Sequence, residues 1–344
     1  MWCFPVPSDH VESARHGVFG IVLDGRSIFT ILLDRLSPLD DMLTAKLYLT
    51  TTIDWVILSF TYGQAVIIGF IQGITELFPI SSLGHAILIP AWIGGSFREF
   101  ISEENQAYLL ITIAMHLASS VALFIVFRKR WVGLIGGSFR ALRSRNFQST
   151  PFRVLGYIVI ATIPVGILGI VFGDYFQSIF GKPQYSAAFL AINGLLLITA
   201  ERLSKRDIAH EYHDSDAEID HRVNAKSAVL IGFGQSLALF AGISRFGVTM
   251  SAGLLRKLNH SVASDFAFLL SLPVIVGAAI VKLPELFTSD AKQLLGQILV
   301  GSLVSFVATY FSVSFLVRWF KTKTLYPFAI YCLVVGVASF ARFA

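Results

Sequence analysis

From Asp54 to the C-terminus, apolar runs alternate with short charged connectors. Six runs are long and clean enough to predict membrane-crossing helices: residues 108–127, 152–172, 187–200, 266–282, 294–317 and 326–343. Two further apolar stretches, about residues 55–93 and 227–255, carry breaks and polar side chains in their middle. The first reads IGFIQGITELFPISSLGHAILIP over residues 68–90 and holds Gln72, Glu76, Pro79, Ser81, Ser82 and His85. A carboxylate inside a membrane segment is costly and marks a functional site by default. Pro79 frees backbone groups that lipid cannot satisfy, so the break must face protein or a water-filled cavity.

The second stretch repeats the first. A shift of 163 positions sets Ile68, Gly69, Phe70 and Gln72 on Ile231, Gly232, Phe233 and Gln235, and Ile80, Ser81 and Gly84 on Ile243, Ser244 and Gly247. Gly242 then stands at the break where the first copy has Pro79. The matches include the break and polar positions, where hydrophobic composition alone would not place them. Paired broken segments in two halves point to a binding site near the bilayer midplane.

Charge supports the same arrangement. The loop after residue 127 carries Arg128, Lys129, Arg130, Arg140, Arg143, Arg145 and Arg153 without an acid, so it is expected on the cytoplasmic side, as is the turn holding Arg318, Lys321 and Lys323. Counting spans from these loops gives the two broken segments opposite orientations, as re-entrant hairpins that meet at the midplane. The expected fold is therefore an all-α integral membrane protein with an inverted-topology repeat, two re-entrant helical hairpins and about six full spans. The repeats cover about residues 54–200 and 227–344 within one membrane domain, 54–344.

Composition agrees: 55% of the 344 residues are hydrophobic and 14% charged, with a net charge of +5 and a mean hydropathy of +0.70. Cys3 and Cys332 are too few and too distant to suggest a disulfide framework or a thiolate metal site. Walker and dinucleotide-binding motifs are absent from the sequence. Residues 1–53 are charged and only weakly apolar. They read either as an amphipathic extension or as sequence ahead of a translation start at Met42, the reading favoured. The loop 201–226 holds His210, His213 and His221 among mixed charges, and a solvated loop is expected there in preference to a metal site.

Each polar residue of the breaks has a structural reading. Ser81 and Ser82 suit N-caps, Glu76 and His85 suit hydrogen-bonded core groups, and Arg245 suits a partner for Glu76. Taken together with Thr249 they suggest anion chemistry. Half-helix N-termini offer N–H groups and positive dipole ends, and Gly242 and Gly247 let the backbone approach a ligand. An anionic ligand, phosphate first, is expected.

The segments QGITELFPISSLGH and AGISRFGVT together resemble the undecaprenyl-pyrophosphate phosphatase family, the bacitracin-resistance proteins. The first family motif falls on Gln72, Glu76, Pro79, Ser81, Ser82, Gly84 and His85, and the second on residues 241–249. The similarity runs from about Trp55 to the C-terminus. Three positions depart from the family pattern: Ala241 stands for a proline, Phe246 for a serine beside Arg245, and Leu83 for a small or hydroxyl residue. The resemblance implies hydrolysis of undecaprenyl diphosphate to the monophosphate carrier and inorganic phosphate, in a bacterial cytoplasmic membrane, with Mg²⁺ or Ca²⁺. It implies catalytic roles for Glu76, Ser82, His85 and Arg245. Phosphate would be bound by Ser81, Gly242, Ser244, Arg245, Gly247 and Thr249, and the cation by Gln72 and Glu76. Ser82 is the nucleophile with His85 as its base, or else His85 activates a metal-bound water; both remain open. The site is expected to open to the outer face. The rival class is a transporter or flippase for a polyprenyl phosphate or another anion, since such proteins also use inverted repeats with broken helices.

Overall fold

The computed structural model describes residues 60–95, 106–180, 182–204, 215–282 and 293–344, with a two-residue antiparallel pairing of Val22–Leu23 and Arg26–Ser27. The remaining readings of residues 1–53, including a start at Met42, lie outside the described residues. Contacts divide the chain into Met1–Val56 and Ile57–Ala344, and the second unit contains every described helix.

Eleven α-helices are described. In chain order they are α1 Tyr62–Thr75, α2 Ser82–Ile93, α3 Gln106–Arg143, α4 Thr150–Phe180, α5 Pro183–Leu203, α6 Ser215–Arg222, α7 Ala225–Gln235, α8 Arg245–Leu255, α9 His260–Lys282, α10 Leu295–Trp319 and α11 Tyr326–Phe343. A 3₁₀ turn, Ser236–Leu239, follows α7. Six of these helices (α3, α4, α5, α9, α10 and α11) are long and apolar enough to cross a membrane. The chain is an integral membrane protein built from helices, and these six are the runs the hydropathy pattern singles out. Several bounds differ from expectation: α4 runs on to Phe180, α5 spans Pro183–Leu203 and α9 starts at His260, and two further differences have a clear local cause. Helix α3 does not stop at Arg128 but continues to Arg143, because Trp131, Leu134 and Ala141 are buried along one side of the extension. Helix α1 starts at Tyr62, where Thr61 and Gln64 form a reciprocal capping box.

Helix α9 is the centre of the bundle. In its most apolar window 56% is buried, against 28–44% in the other spans. Phe266 and Phe268 of α9 lie in one core cluster with Phe246 of α8, Leu123 and Phe127 of α3, and Phe320 and Phe328 near the C-terminus.

Helix packing follows the 163-residue repeat. Helix α1 of the first half packs on α10 of the second, and α7 of the second half packs on α4 of the first. The contacts are made by equivalent glycines. A Cβ on Gly69 would strike the backbone of Gly301, and one on Gly232 would meet the Ala161 carbonyl at 2.6 Å. Helices α5 and α11, each at the end of its half, pack on one another. Gly194 and Gly336 allow their close approach, since a Cβ on either would lie within 3 Å of backbone atoms on the other helix.

Candidate active site

The site is built where the two broken segments meet. Helices α1 and α2, of 14 and 12 residues, are each too short to cross a hydrocarbon layer of roughly 30 Å. Between them the chain turns through Glu76 to Ser81. Ser81 caps α2 with its side chain, which accepts the Gly84 N–H at 3.2 Å. Its backbone lies at φ 68°, a conformation that costs a residue with a side chain about 1–3 kcal/mol and is held only by surrounding contacts. The second break does the same with a different residue. Ser244 caps α8 and accepts the Gly247 N–H at 3.1 Å.

The two breaks complete each other. Gly242 N–H donates to Ser81 Oγ at 3.2 Å, and Ser244 Oγ–H donates to the Phe78 carbonyl at 3.2 Å. A Cβ on Gly84 would lie 2.8 Å from Gly242 Cα, while a Cβ on Gly247 would lie 3.4 Å from Pro79 Cβ. Gly242 has φ 117° and its missing Cβ would collide with the Ser186 carbonyl, so no other residue fits there. Asn193 of α5, fully buried, joins both segments. Its amide N–H donates to the Pro79 carbonyl at 2.9 Å and its oxygen accepts the Ser244 N–H at 3.0 Å. The N-termini of α2 and α8 are thereby held side by side, and first-turn N–H groups are natural anion ligands.

Glu76 ends α1 and is 8% exposed. Three side chains converge on its Oε2: Gln72 Nε2–H donates at 2.9 Å, Ser82 O–H donates at 2.7 Å, and His116 Nε2 lies at 3.3 Å. On the other oxygen, Oε1, the nearest cation is Arg245 Nη1 at 3.8 Å. That distance is an ion pair without a hydrogen bond, so the guanidinium keeps its donors for another acceptor. Arg245 opens α8 and is partly exposed. Thr249, one turn further, is 1% exposed, and its hydroxyl has no hydrogen-bond partner. A buried hydroxyl with unmet capacity invites a polar ligand.

His85 is hydrogen-bonded on both ring nitrogens, the structural one of its two sequence readings. Its Nδ1–H donates to the Ser81 carbonyl at 2.7 Å, and Nε2 lies 2.8 Å from the Tyr331 hydroxyl, with the two rings stacked. Both nitrogens are engaged, and Ser82 hydrogen-bonds Glu76 instead of His85. The structure therefore brings together Gln72, Glu76, Ser82 and Arg245, and puts Ser81, Gly242, Ser244 and Gly247 in the frame around them. His85 joins that frame by fixing the turn at Ser81. Phe246 also has a structural account. It is 1% exposed and packs on Phe268 with ring centroids 4.6 Å apart, so its ring lies in the core.

Three residues escape a reading of the sequence alone: His116, Asn193 and Tyr331. His116 and Asn193 each sit mid-way along an otherwise clean apolar run, and a polar side chain at such a depth is itself the signal. Among the described residues no group of three or more His, Cys, Asp or Glu side chains could hold a metal ion.

Six spans around two interlocked helix breaks, with a buried carboxylate and an arginine between them, define a multi-pass membrane protein. Residues 65–338 match the family described as bacitracin resistance protein BacA, and the chain belongs to that family. It is 43% identical over 293 residues to the undecaprenyl-diphosphatase of Mycolicibacterium paratuberculosis, covering 81% of this chain and 96% of that protein. It is 39% identical over 337 residues to undecaprenyl-diphosphatase 2 of Frankia alni (83% and 98%), and 37% identical over 281 residues to undecaprenyl-diphosphatase 2 of Chromobacterium violaceum (80% and 96%).

Proposed function

We propose that this protein hydrolyses undecaprenyl diphosphate to undecaprenyl phosphate and inorganic phosphate, and so recycles a lipid carrier of cell-wall synthesis and confers bacitracin resistance. The relatives' activity supports the reaction. The observation that carries it on this chain is the convergence of Ser82 and Arg245 on the buried Glu76 carboxylate.

In this reading the terminal phosphate lies at the N-termini of α2 and α8. Arg245 turns from its long contact with Glu76 to bind two phosphate oxygens, and stabilises charge in the transition state. Catalysis of phosphoryl transfer is mostly positioning and charge neutralisation, which these groups supply. Glu76 is the proton acceptor placed for the step, because it already takes the Ser82 hydrogen bond. Ser82 Oγ attacks the terminal phosphorus, its proton passes to Glu76, and the bond to the bridging oxygen breaks to release undecaprenyl phosphate. Water then hydrolyses the phosphoserine to inorganic phosphate. If water attacks directly, Glu76 takes its proton and Ser82 binds phosphate. His85 would serve as a base only after Nε2 leaves Tyr331, and Ser82 already has Glu76 as its acceptor, so we assign His85 to holding the turn.

A divalent cation, Mg²⁺ or Ca²⁺, is part of this reading. Glu76 Oε1 and the amide oxygen of Gln72 would hold it, and a single carboxylate shared with phosphate oxygens is a mode that suits Mg²⁺. Bound there, it would neutralise diphosphate charge. A groove of about 570 Å³ between α1 and α10, lined by Phe70, Ile74, Phe78, Val307, Phe311 and Phe315, offers the prenyl tail an apolar bed beside the first break. We also place the two breaks as re-entrant hairpins of opposite orientation, in a bacterial cytoplasmic membrane, with the site open to the outer face. The charge bias of the loops and the side on which spent carrier arises support that orientation.

The test is phosphate release from undecaprenyl diphosphate by the purified protein, beside a vesicle assay for movement of undecaprenyl phosphate. Stoichiometric release supports the phosphatase. Lipid movement without release would favour the transporter class.

A further inference from the structure

We infer that His116 of α3 is a positioning residue of the reaction centre: it fixes the Glu76 carboxylate so that Oε2 receives Ser82 while Oε1 stays turned to Arg245 and the phosphate. The inference rests on the phosphatase reading.

Glu76 stands where a helix has just ended. Its backbone N–H still donates to Gln72 at 3.0 Å, but the chain beyond it forms no further helical turn that would restrict its side chain. Its rotamer therefore depends on side-chain contacts. Gln72 and Ser82 belong to the same broken segment and move with it. His116 comes from a long span outside that segment, and it ties the carboxylate to the bundle at 3.3 Å.

The imidazole is itself held. Its Nδ1 donates to the Thr112 carbonyl one turn earlier at 2.8 Å, which sets the ring plane and aims Nε2 at Glu76. The His116 side chain is 28% exposed against 3% for Glu76, so the contact joins a partly exposed ring to a buried carboxylate. The two histidines thus divide their work: His85 fixes the α2 N-terminus through Ser81, and His116 fixes the carboxylate. An acidic group misplaced by about 1 Å can cost on the order of 100-fold in rate, and the cost falls on turnover when alignment is lost in place of binding.

The experiment compares wild type, His116→Ala and His116→Gln in detergent, measuring kcat and KM for phosphate release from undecaprenyl diphosphate together with thermal unfolding. Glutamine keeps an N–H donor of similar reach without an imidazole. His116→Ala is expected to lower kcat about 10- to 100-fold, with KM within about threefold and an unchanged melting temperature. His116→Gln should recover most of that loss. Wild-type turnover in His116→Ala, or a loss that glutamine leaves unrepaired, would overturn the assignment. A wild-type protein that releases no phosphate would instead remove the phosphatase reading, which the wild-type arm records separately.

Discussion

Ser82 donates its hydroxyl hydrogen to Glu76 Oε2 at 2.7 Å, across six residues that include a proline and no helical turn. The bond exists because the helix breaks between α1 and α2. It binds the end of one short helix to the start of the next and leaves the hydroxyl hydrogen on a carboxylate oxygen.

Glu76→Gln should abolish most phosphate release while the protein remains folded. Glutamine keeps the shape but cannot accept the Ser82 proton, and a lost general base costs about 10²- to 10⁴-fold. Turnover near that of wild type, with unchanged thermal unfolding, would remove the carboxylate from the chemistry. Chelation should suppress the wild-type rate and excess Mg²⁺ or Ca²⁺ restore it; indifference to chelator would end the cation assignment.

Arg245→Lys should behave as a radical substitution. An ammonium is a point charge and cannot make the bidentate contact of a guanidinium. The expected loss is about 100-fold or more, mainly in kcat if the contact strengthens in the transition state. Unchanged kinetics would mean that Arg245 does not touch the diphosphate.

Tyr331→Phe isolates the role of His85. Removal of the hydroxyl leaves His85 Nε2 without its partner but leaves Ser82 and Glu76 untouched. A loss of about 1 kcal/mol in stability is expected, with only a small change in turnover. A roughly 100-fold slower turnover at constant stability would show that His85 and Tyr331 act in the chemistry.

Side of access can be read with a single cysteine at position 82, in a background without Cys3 and Cys332. Ser82 is half-buried and suits the probe, whereas Thr249 is too deeply buried. A membrane-impermeant thiol reagent should label the site in intact cells. Labelling only after the inner face is exposed would reverse the proposed orientation.

Much of this architecture is legible in the sequence, and the limits have physical causes. The six spans follow from hydropathy, because a bilayer demands long apolar helices whatever their neighbours. Glu76, Ser82 and Arg245 are legible because polar groups beside helix breaks are expensive in lipid and so conspicuous. Partner choice is not. Sequence proximity sets His85 beside Ser82, three residues along one helix, but the turn at Ser81 directs the imidazole to its carbonyl and to Tyr331, 246 residues away. His116 and Asn193 are hidden for the same reason: each acts across helices, and register between distant helices is set by tertiary packing. Phe246 looks like a threat to the site because it neighbours Arg245, yet successive helix residues point about 100° apart, and its ring goes to the core.

The mutual capping of the breaks has a consequence for how the protein is made. Ser81 receives its bond from Gly242, and the Pro79 carbonyl receives one from Asn193. At synthesis rates of about 5–20 residues per second, the chain between positions 81 and 242 takes on the order of ten seconds or more to emerge. For that interval Ser81 lacks its Gly242 partner, and the Pro79 carbonyl waits for Asn193. A cell that makes this protein must shelter one break until the other arrives.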